Sequence, residues 1–288
     1  MVGQWRKWLE RFKLHRYARR QPVILINGLS EQPESWFRNL PYWRRYFDVY
    51  APNVLVYDGP GLHRRIDSGE PISVDYLVEQ LHHYLTHFVQ TPPYHLVAAS
   101  LGGKVAVEYA VRYPEDVSRL VLLCPSGMGD EERLPIVEGI RRSDLKGLLD
   151  SIFCDTREVD SRLVTYYERQ FANRRWRCGL LRTIRGTMEH VVRERLTLVK
   201  QPTLFVSGEE DRIVDPVVAA EAARLLPEGQ FVSIPNCGHA PQMEKPWMIN
   251  RLVVHFLTSE RPSDEPAPGA AVAGAAEHDP LTGASRGR

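Results

Sequence analysis

Short apolar runs alternate with amphipathic segments through the middle of the chain, from residue 22 to residue 258. The apolar runs have the length of strands that are buried on both faces of a sheet. Six such runs are predicted to be strands, at residues 23–26, 47–52, 95–99, 119–124, 203–207 and 230–234. Helices are predicted at residues 73–89, 101–113, 216–226 and about 246–258. Strands that alternate with helices indicate an α/β fold, with a mostly parallel sheet and helices on both faces.

The predicted helices carry patterns that define their faces and their ends. The segment 73–89 is predicted to be a helix because Leu77, Leu81, Leu85 and Phe88 would lie on one face of it. Asp215 has a side chain typical of a helix N-cap, and Pro216 follows it at the first helical position. We therefore expect a helix to begin there.

Two stretches depart from the alternation. Residues 125–200 contain several helical patterns and no clear strand, and they lie between two predicted core strands, so we predict an inserted helical cap. From residue 259 the chain is rich in alanine, glycine and proline, which predicts a disordered tail. The predicted parts are a basic helix at 1–21, a core at 22–124 and 201–258, a cap at 125–200 and a tail at 259–288.

The first 20 residues are predicted to form an amphipathic helix with a basic surface. Trp5, Trp8, Leu9 and Phe12 form its apolar stripe, and seven basic residues accompany a single acid, Glu10. One interpretation is a helix that contacts an anionic membrane surface. The other is a helix that packs its stripe against an edge of the sheet. The sequence leaves both interpretations open.

The composition argues against several classes of function. The 37 basic and 36 acidic residues nearly cancel, so we expect no nucleic-acid partner. The four cysteines form no C-x-x-C pair, which argues against a zinc site and a disulfide framework and favours reduced thiols in a cytoplasmic protein. No apolar run approaches the roughly 18 residues of a membrane-spanning helix. His82, His83 and His87 share a predicted helix, but no metalloprotease motif accompanies them, so we expect neither a metal nor a cofactor.

The stretch LVAASLGGKVAVEYA, residues 96–110, places Ser100 between a predicted strand and a predicted helix. Functional groups of parallel sheets lie at such junctions, at the carboxyl edge. A sharp turn brings the strand and the helix close together, so the residues two positions before and after the serine must be small. Ala98 and Gly102 meet this requirement, and Gly103 follows. The N-terminus of the helix would stabilise negative charge beside the hydroxyl.

The motif AASLG resembles the nucleophile elbow of the α/β-hydrolase superfamily, usually written G-x-S-x-G, with alanine in place of the first glycine. The segment LFVSGEEDRIVDP is similar to the acid loop of that superfamily and contains Asp211. The segment CGHAPQMEKP is similar to its histidine loop and contains His239. The order serine, acid, histidine is also that of the superfamily. The resemblance covers about residues 22–258.

The resemblance implies a catalytic triad. Ser100 would attack an acyl carbon, His239 would take its proton and later return one to the leaving group, and Asp211 would orient the imidazole. Three other acids compete with Asp211 and fit the acid-loop pattern less well: Glu209, Glu210 and Asp215.

The resemblance also implies an oxyanion hole, formed by the backbone N–H groups of Leu101 and Leu29. Leu29 belongs to NGLS, residues 27–30, which is similar to the H-G-x segment of the superfamily but has Asn27 where histidine is common. Because the donors are backbone groups, this side-chain difference leaves the expected oxyanion hole intact.

The function implied is that of a cofactor-free serine hydrolase, which cleaves a carboxylic ester of a small or lipid-like substrate through an acyl-enzyme. An alternative within the same fold is carbon–carbon bond hydrolysis of the meta-cleavage type, because CPSGMG, residues 124–129, is loosely similar to that family. Against it, Ala240 stands where that family tends to carry an aromatic residue. An alternative of another class is a hydrolase-like scaffold that binds a ligand without turnover. The acyl chain, the leaving group and the oligomeric state stay open.

Overall fold

A computed structural model describes residues 20–29, 31, 33–53, 64–65, 67–129, 137 and 144–259. The predicted basic helix at 1–21 lies outside these residues except for its last two positions, and so does the predicted disordered tail except for Ser259. Both stay predictions.

The described strands form one parallel sheet. They are β1 (Pro22–Ile26), β2 (Asp48–Tyr50), β3 (Tyr94–Ala99), β4 (Val117–Leu123), β5 (Thr203–Gly208) and β6 (Gly229–Ile234), in the spatial order β2-β1-β3-β4-β5-β6. All five neighbouring pairs are parallel; Leu25 pairs with Val97, for example, and Ala98 with Leu122. All six predicted strands are present within a few residues of their predicted ends.

Helices connect the strands and cover both faces of the sheet. They are α1 (Leu40–Trp43), α2 (Val74–Tyr84), α3 (Leu101–Arg112), α4 (Leu145–Ile152), α5 (Ser161–Ala172), α6 (Arg174–Thr187), α7 (Pro216–Ala223), α8 (Pro241–Glu244) and α9 (Pro246–Thr258). Short 3-10 turns lie at Pro33–Trp36, Pro114–Asp116, Thr156–Glu158 and Glu194–Leu198. None of the helices within the described ranges is long and apolar enough to cross a membrane.

Alternation along each strand builds two hydrophobic layers. In β1, Val23 and Leu25 face a layer that includes residues of α1 and α9, whereas Ile24 and Ile26 face a layer that includes residues of α2, α3 and α7. Successive side chains of a strand point to opposite faces, so a strand buried on both sides is apolar at every position. This arrangement confirms the predicted α/β fold class.

The helix predicted at 73–89 departs from its expected pattern in its last turn. Leu77, Leu81 and Leu85 share one buried face, but Phe88 is 68% exposed and Val89 is buried instead. The chain forms a π-helical turn at Leu85–Val89, in which the N–H of Gln90 bonds to the carbonyl of Leu85. The hydrogen bond from residue i+5 to residue i shifts the helical phase by one position, so the prediction that Phe88 shares a face with the three leucines was wrong.

The part of 125–200 that the structure describes contains helices and no strand. Side-chain caps begin its three helices: Asp144 accepts from Gly147 N, Asp160 from Arg162 N, and Asn173 from Arg175 N and Trp176 N. These carboxylate and amide oxygens bond to N–H groups that have no acceptor within the helix. Asp215 caps α7 in the same way, as predicted, by accepting from Val217 N. The division of the chain into core and cap stays a prediction.

Candidate active site

Ser100 occupies a sharp turn between β3 and α3. Its backbone has φ 48° and ψ −119°, a conformation that residues other than glycine rarely adopt. The turn is held by a hydrogen bond from Ser100 N to the carbonyl of Leu123, 3.0 Å long, and by one from Gly103 N to the carbonyl of Ser100, 2.8 Å long. A Cβ on Gly102 would lie 2.4 Å from the carbonyl oxygen of Ile26. The small residue predicted at this position is therefore required by close backbone approach.

The backbone strain at Ser100 has a measurable consequence for stability. We expect Ser100→Gly to be more stable to unfolding than Ser100→Ala by about 1 kcal/mol, because glycine adopts positive φ without a steric penalty. The measurement is chemical unfolding of both variants. Ser207, within strand β5, provides a matched pair, and there glycine is expected to be less stable than alanine by about 0.5–1 kcal/mol. The same order of stability at both positions would contradict strain at Ser100.

His239 lies beside Ser100 in the loop between β6 and α8. Its Nε2 lies 2.8 Å from Ser100 Oγ, and its Nδ1 lies 2.8 Å from Asp211 Oδ2 and 3.0 Å from Asp211 Oδ1. The backbone N–H of His239 donates to the carbonyl of Ile152 at 2.7 Å, which fixes the loop against the end of α4. The structure thus brings the three predicted side chains into one hydrogen-bonded chain.

Asp211 is buried, and its partners keep it ionised. Burial opposes ionisation, but the charge on His239, the hydrogen bond from that residue and the N–H groups of Ile213 and Val214 together lower the pKa of Asp211. Those N–H groups donate to Asp211 Oδ1 at 2.9 and 3.1 Å. An ionised carboxylate accepts the proton of Nδ1, so Nε2 is left to accept the proton of the Ser100 hydroxyl.

The three competing acids bond elsewhere. Glu209 accepts from Ser233 Oγ at 3.2 Å, and Glu210 accepts from the N–H of Cys237 at 2.8 Å. Asp215 caps α7. Among the four candidates, Asp211 is the acid that reaches the imidazole.

The predicted oxyanion loop follows β1 and lies against Ser100. A Cβ on Gly28 would lie 3.0 Å from Ser100 Cβ, so the turn after β1 contacts the predicted nucleophile through a glycine. Leu101 is the first residue of α3, where the N–H groups have no acceptor within the helix. Asn27 accepts a 2.8 Å hydrogen bond from Trp36 Nε1 and so ties the loop to the 3-10 turn that follows.

Comparison with known proteins identifies the family. The family model for the alpha/beta hydrolase fold matches residues 21–246. The chain is an α/β hydrolase. Human monoacylglycerol lipase ABHD6 is 24% identical to it over 263 residues, which cover 84% of this chain and 77% of the relative. The uncharacterized hydrolase YugF of Bacillus subtilis (strain 168) is 25% identical over 252 residues, which cover 83% and 90%.

Solved structures agree with this assignment at the level of the fold. A bacterial membrane phospholipase A superimposes on the hydrolase with a TM-score of 0.70 at 24% identity, over 83% of this chain and 78% of that chain. The meta-cleavage product hydrolase of Pseudomonas fluorescens IP01 gives a TM-score of 0.70 at 24% identity, over 83% and 91%.

Sequence reasoning missed two side chains that hold the loops of the hydrolase. Glu31 is buried and accepts from Gly28 N at 3.2 Å and from Gln242 Nε2 at 3.1 Å. Glu244 accepts from the N–H groups of Cys154, Gly238 and Ala240 around the His239 loop. Glu244 belongs to the motif similar to the histidine loop, which could have indicated its role. No local pattern marks Glu31.

Among the residues that the structure describes, one set of side chains is close enough together to hold a metal ion. Ligand atoms of Cys124, Asp211 and His239 lie within 4.8 Å of one another. Both nitrogens of His239, however, lie at hydrogen-bond distance from Asp211 and Ser100, so a metal on this set would have to replace one of those bonds. On α2, His82 stacks on Tyr113 with ring centroids 4.1 Å apart, which accounts for its position through packing.

Proposed function

We propose that this chain is a serine hydrolase that cleaves carboxylic esters through an acyl-enzyme. The hydrogen-bonded chain from Ser100 through His239 to Asp211 is the observation that carries the proposal. Ser100 Oγ attacks the carbonyl carbon of the ester while His239 Nε2 takes the hydroxyl proton, and the negative Asp211 stabilises the imidazolium.

The remaining steps conserve that proton. The N–H groups of Leu29 and Leu101 donate to the oxyanion of the tetrahedral intermediate. The intermediate then expels the alkoxide, which takes the proton from His239 and leaves as the alcohol. A water molecule attacks the acyl-Ser100 ester and gives its proton to His239, and the proton returns to Ser100 as the acid is released.

We further propose a lipid-like ester as the substrate, with residues 125–200 as a helical cap that limits access to Ser100. The name of the human relative, monoacylglycerol lipase, supports an ester of a fatty acid.

Contact with a membrane surface through residues 1–20 stays a prediction. Sedimentation of the chain with anionic vesicles, compared with a Trp5→Glu/Trp8→Glu variant, tests it; equal sedimentation of both would contradict it.

Carbon–carbon bond hydrolysis is the second candidate, because a meta-cleavage product hydrolase is among the structural neighbours. Ala240 is buried beside His239 and lacks the aromatic side chain expected for that family. The ester proposal is therefore favoured.

The test combines active-site labelling with substrate screening. A fluorophosphonate probe is expected to label the wild-type chain on the peptide that contains Ser100. The wild type is also expected to hydrolyse p-nitrophenyl esters and a monoacylglycerol, with a preference among acyl lengths. Labelling without ester turnover would favour carbon–carbon bond hydrolysis, which a dienoic diketone substrate then tests. Neither labelling nor turnover would favour a binding scaffold and would contradict the proposal.

A further inference from the structure

A buried acid, Glu31, forms hydrogen bonds to the loop that is expected to donate to the oxyanion. The residue is only 6% exposed. Its Oε2 accepts from the N–H of Gly28 at 3.2 Å, and its own backbone N–H donates to the carbonyl of Gly28 at 3.2 Å. One residue therefore holds both peptide groups that flank Gly28.

The second of these bonds sets the direction of the Leu29 N–H. The carbonyl of Gly28 and the N–H of Leu29 belong to one planar trans peptide, so they point in opposite directions. The hydrogen bond from Glu31 N to that carbonyl therefore orients the predicted oxyanion donor. Gln242, which is fully buried on α8, supports the acid from the other side through a 3.1 Å bond from its Nε2 to Glu31 Oε1.

Glu31 also lies close to the predicted nucleophile. The position that a Cβ on Gly28 would occupy is 3.1 Å from Glu31 Oε1 and 3.0 Å from Ser100 Cβ, so the carboxyl and the serine flank the same point. A charge on Glu31 is therefore placed where it acts on the groups around Ser100.

We propose that Glu31 is a positioning residue for the oxyanion loop and that its charge acts on the imidazole of His239. This inference rests on the proposed serine hydrolase function. The first effect operates through the hydrogen bonds around Gly28. The second operates through space, because a negative carboxylate stabilises the imidazolium that forms when Ser100 loses its proton.

The Glu31–Gln242 pair can accommodate both charge states of the acid. Burial raises the pKa of Glu31 to about 7, against the opposing effects of the bond from Gly28, the charge on His239 and the bond from Gln242. Oε1 of Gln242 is buried without a hydrogen-bond partner. A carboxylate accepts from the amide NH₂ as described, whereas a protonated Glu31 can donate to that oxygen after rotation of the amide. The charge on His239 is felt at Glu31, and Asp211 bonds to Nδ1 of His239, the ring nitrogen that does not contact Ser100.

Two substitutions separate the positioning effect from the charge effect. Glu31→Ala removes the charge and the two side-chain hydrogen bonds, from Gly28 N and from Gln242, but keeps the backbone bond from residue 31 N to the Gly28 carbonyl. The oxyanion loop then loses one of the two bonds that hold the peptide groups on either side of Gly28. We expect kcat for a p-nitrophenyl ester to fall about 10- to 100-fold with KM nearly unchanged, because a misplaced oxyanion donor weakens binding of the transition state alone. Glu31→Gln keeps an acceptor for the Gly28 N–H and is expected to restore most of kcat.

The charge effect appears in the pH dependence. Glu31 is ionised above its pKa of about 7, and its negative charge there raises the pKa of His239. Glu31→Gln is therefore expected to move the acid limb of the kcat/KM profile to lower pH in the range from about pH 7 upward, by about 0.3–1 unit. Glu209→Gln is the matched control, since the Glu209 side chain bonds to Ser233, away from the oxyanion loop, and it should leave the profile unchanged. The melting temperatures of all variants are measured in parallel.

Each result decides one part of the inference. Wild-type kcat in a folded Glu31→Ala variant would overturn the positioning effect. If that variant does not fold, a 10- to 100-fold loss of kcat in folded Glu31→Gln would overturn the positioning effect, and an unshifted acid limb would overturn the charge effect. The titration of the His239 imidazole, followed by NMR in the wild type and in Glu31→Gln, needs no turnover. It therefore tests the charge effect even if the wild type and Ser100→Ala prove equally inactive on esters, and an identical titration in both proteins overturns it.

Discussion

Ser100→Ala is expected to lower kcat for ester hydrolysis by about 10⁴- to 10⁶-fold and to abolish fluorophosphonate labelling. The substitution removes the hydroxyl oxygen that lies 2.8 Å from His239 Nε2, so no covalent acyl-enzyme can form at this position. Alanine retains a Cβ and the same backbone strain, so we expect little change in stability. The measurements are initial rates on a p-nitrophenyl ester and gel detection of the probe.

Ser207→Ala is the matched control for this prediction. Ser207 is also buried near the carboxyl end of a parallel strand, but its hydroxyl lies 3.4 Å from the carbonyl of Gly208 instead of at an imidazole. This variant should keep the wild-type rate and labelling. Equal labelling of the wild type and Ser100→Ala would reject Ser100 as the nucleophile.

Asp211→Asn is expected to lower kcat by about 10⁴-fold while KM changes little. Asparagine is nearly isosteric with aspartate, so the fold is retained, but the change removes the negative charge that stabilises the imidazolium. The amide NH₂ also favours the tautomer with its proton on Nε2, which then cannot accept the proton of Ser100. Steady-state kinetics at a pH where the wild type is fully active measure both parameters.

Asp215→Asn makes the same chemical change four positions further along the chain. Asparagine is as good an N-cap as aspartate, so α7 should remain intact and kcat should stay at the wild-type level. A large loss of kcat in Asp215→Asn together with a small loss in Asp211→Asn would show that our proposal assigns the acid role to the wrong residue.

The sequence predicted the strands well because their signal is local. A run such as Val23–Ile26 is short and apolar at every position, which fits a strand buried on both faces and little else. The end of the helix that begins after Ser73 was harder to predict from the sequence. Phe88 faces solvent because one π-helical turn shifts the phase of the helix. That turn depends on how the segment packs onto the sheet as well as on its own residues.

The candidate site could also be predicted from local sequence signals. Parallel strands end at the same edge of a sheet, so Ser100, Asp211 and His239, each just past a predicted strand, could be expected to meet. The resemblance to a family of known order then distinguished them from other polar residues. The choice of Asp211 over its neighbours rested on a pattern, and the contact with His239 now supports it.

The sequence by itself determined the alternation of strands and helices and the chemical types at the strand ends, since both are written in local periodicity and short motifs. Only the tertiary structure decided which distant groups share a hydrogen bond. Glu31 and Gln242 are 211 positions apart, and the His239 backbone depends on the carbonyl of Ile152. Such contacts depend on how whole layers pack, because burial leaves each polar group only the partners that the packed fold places beside it.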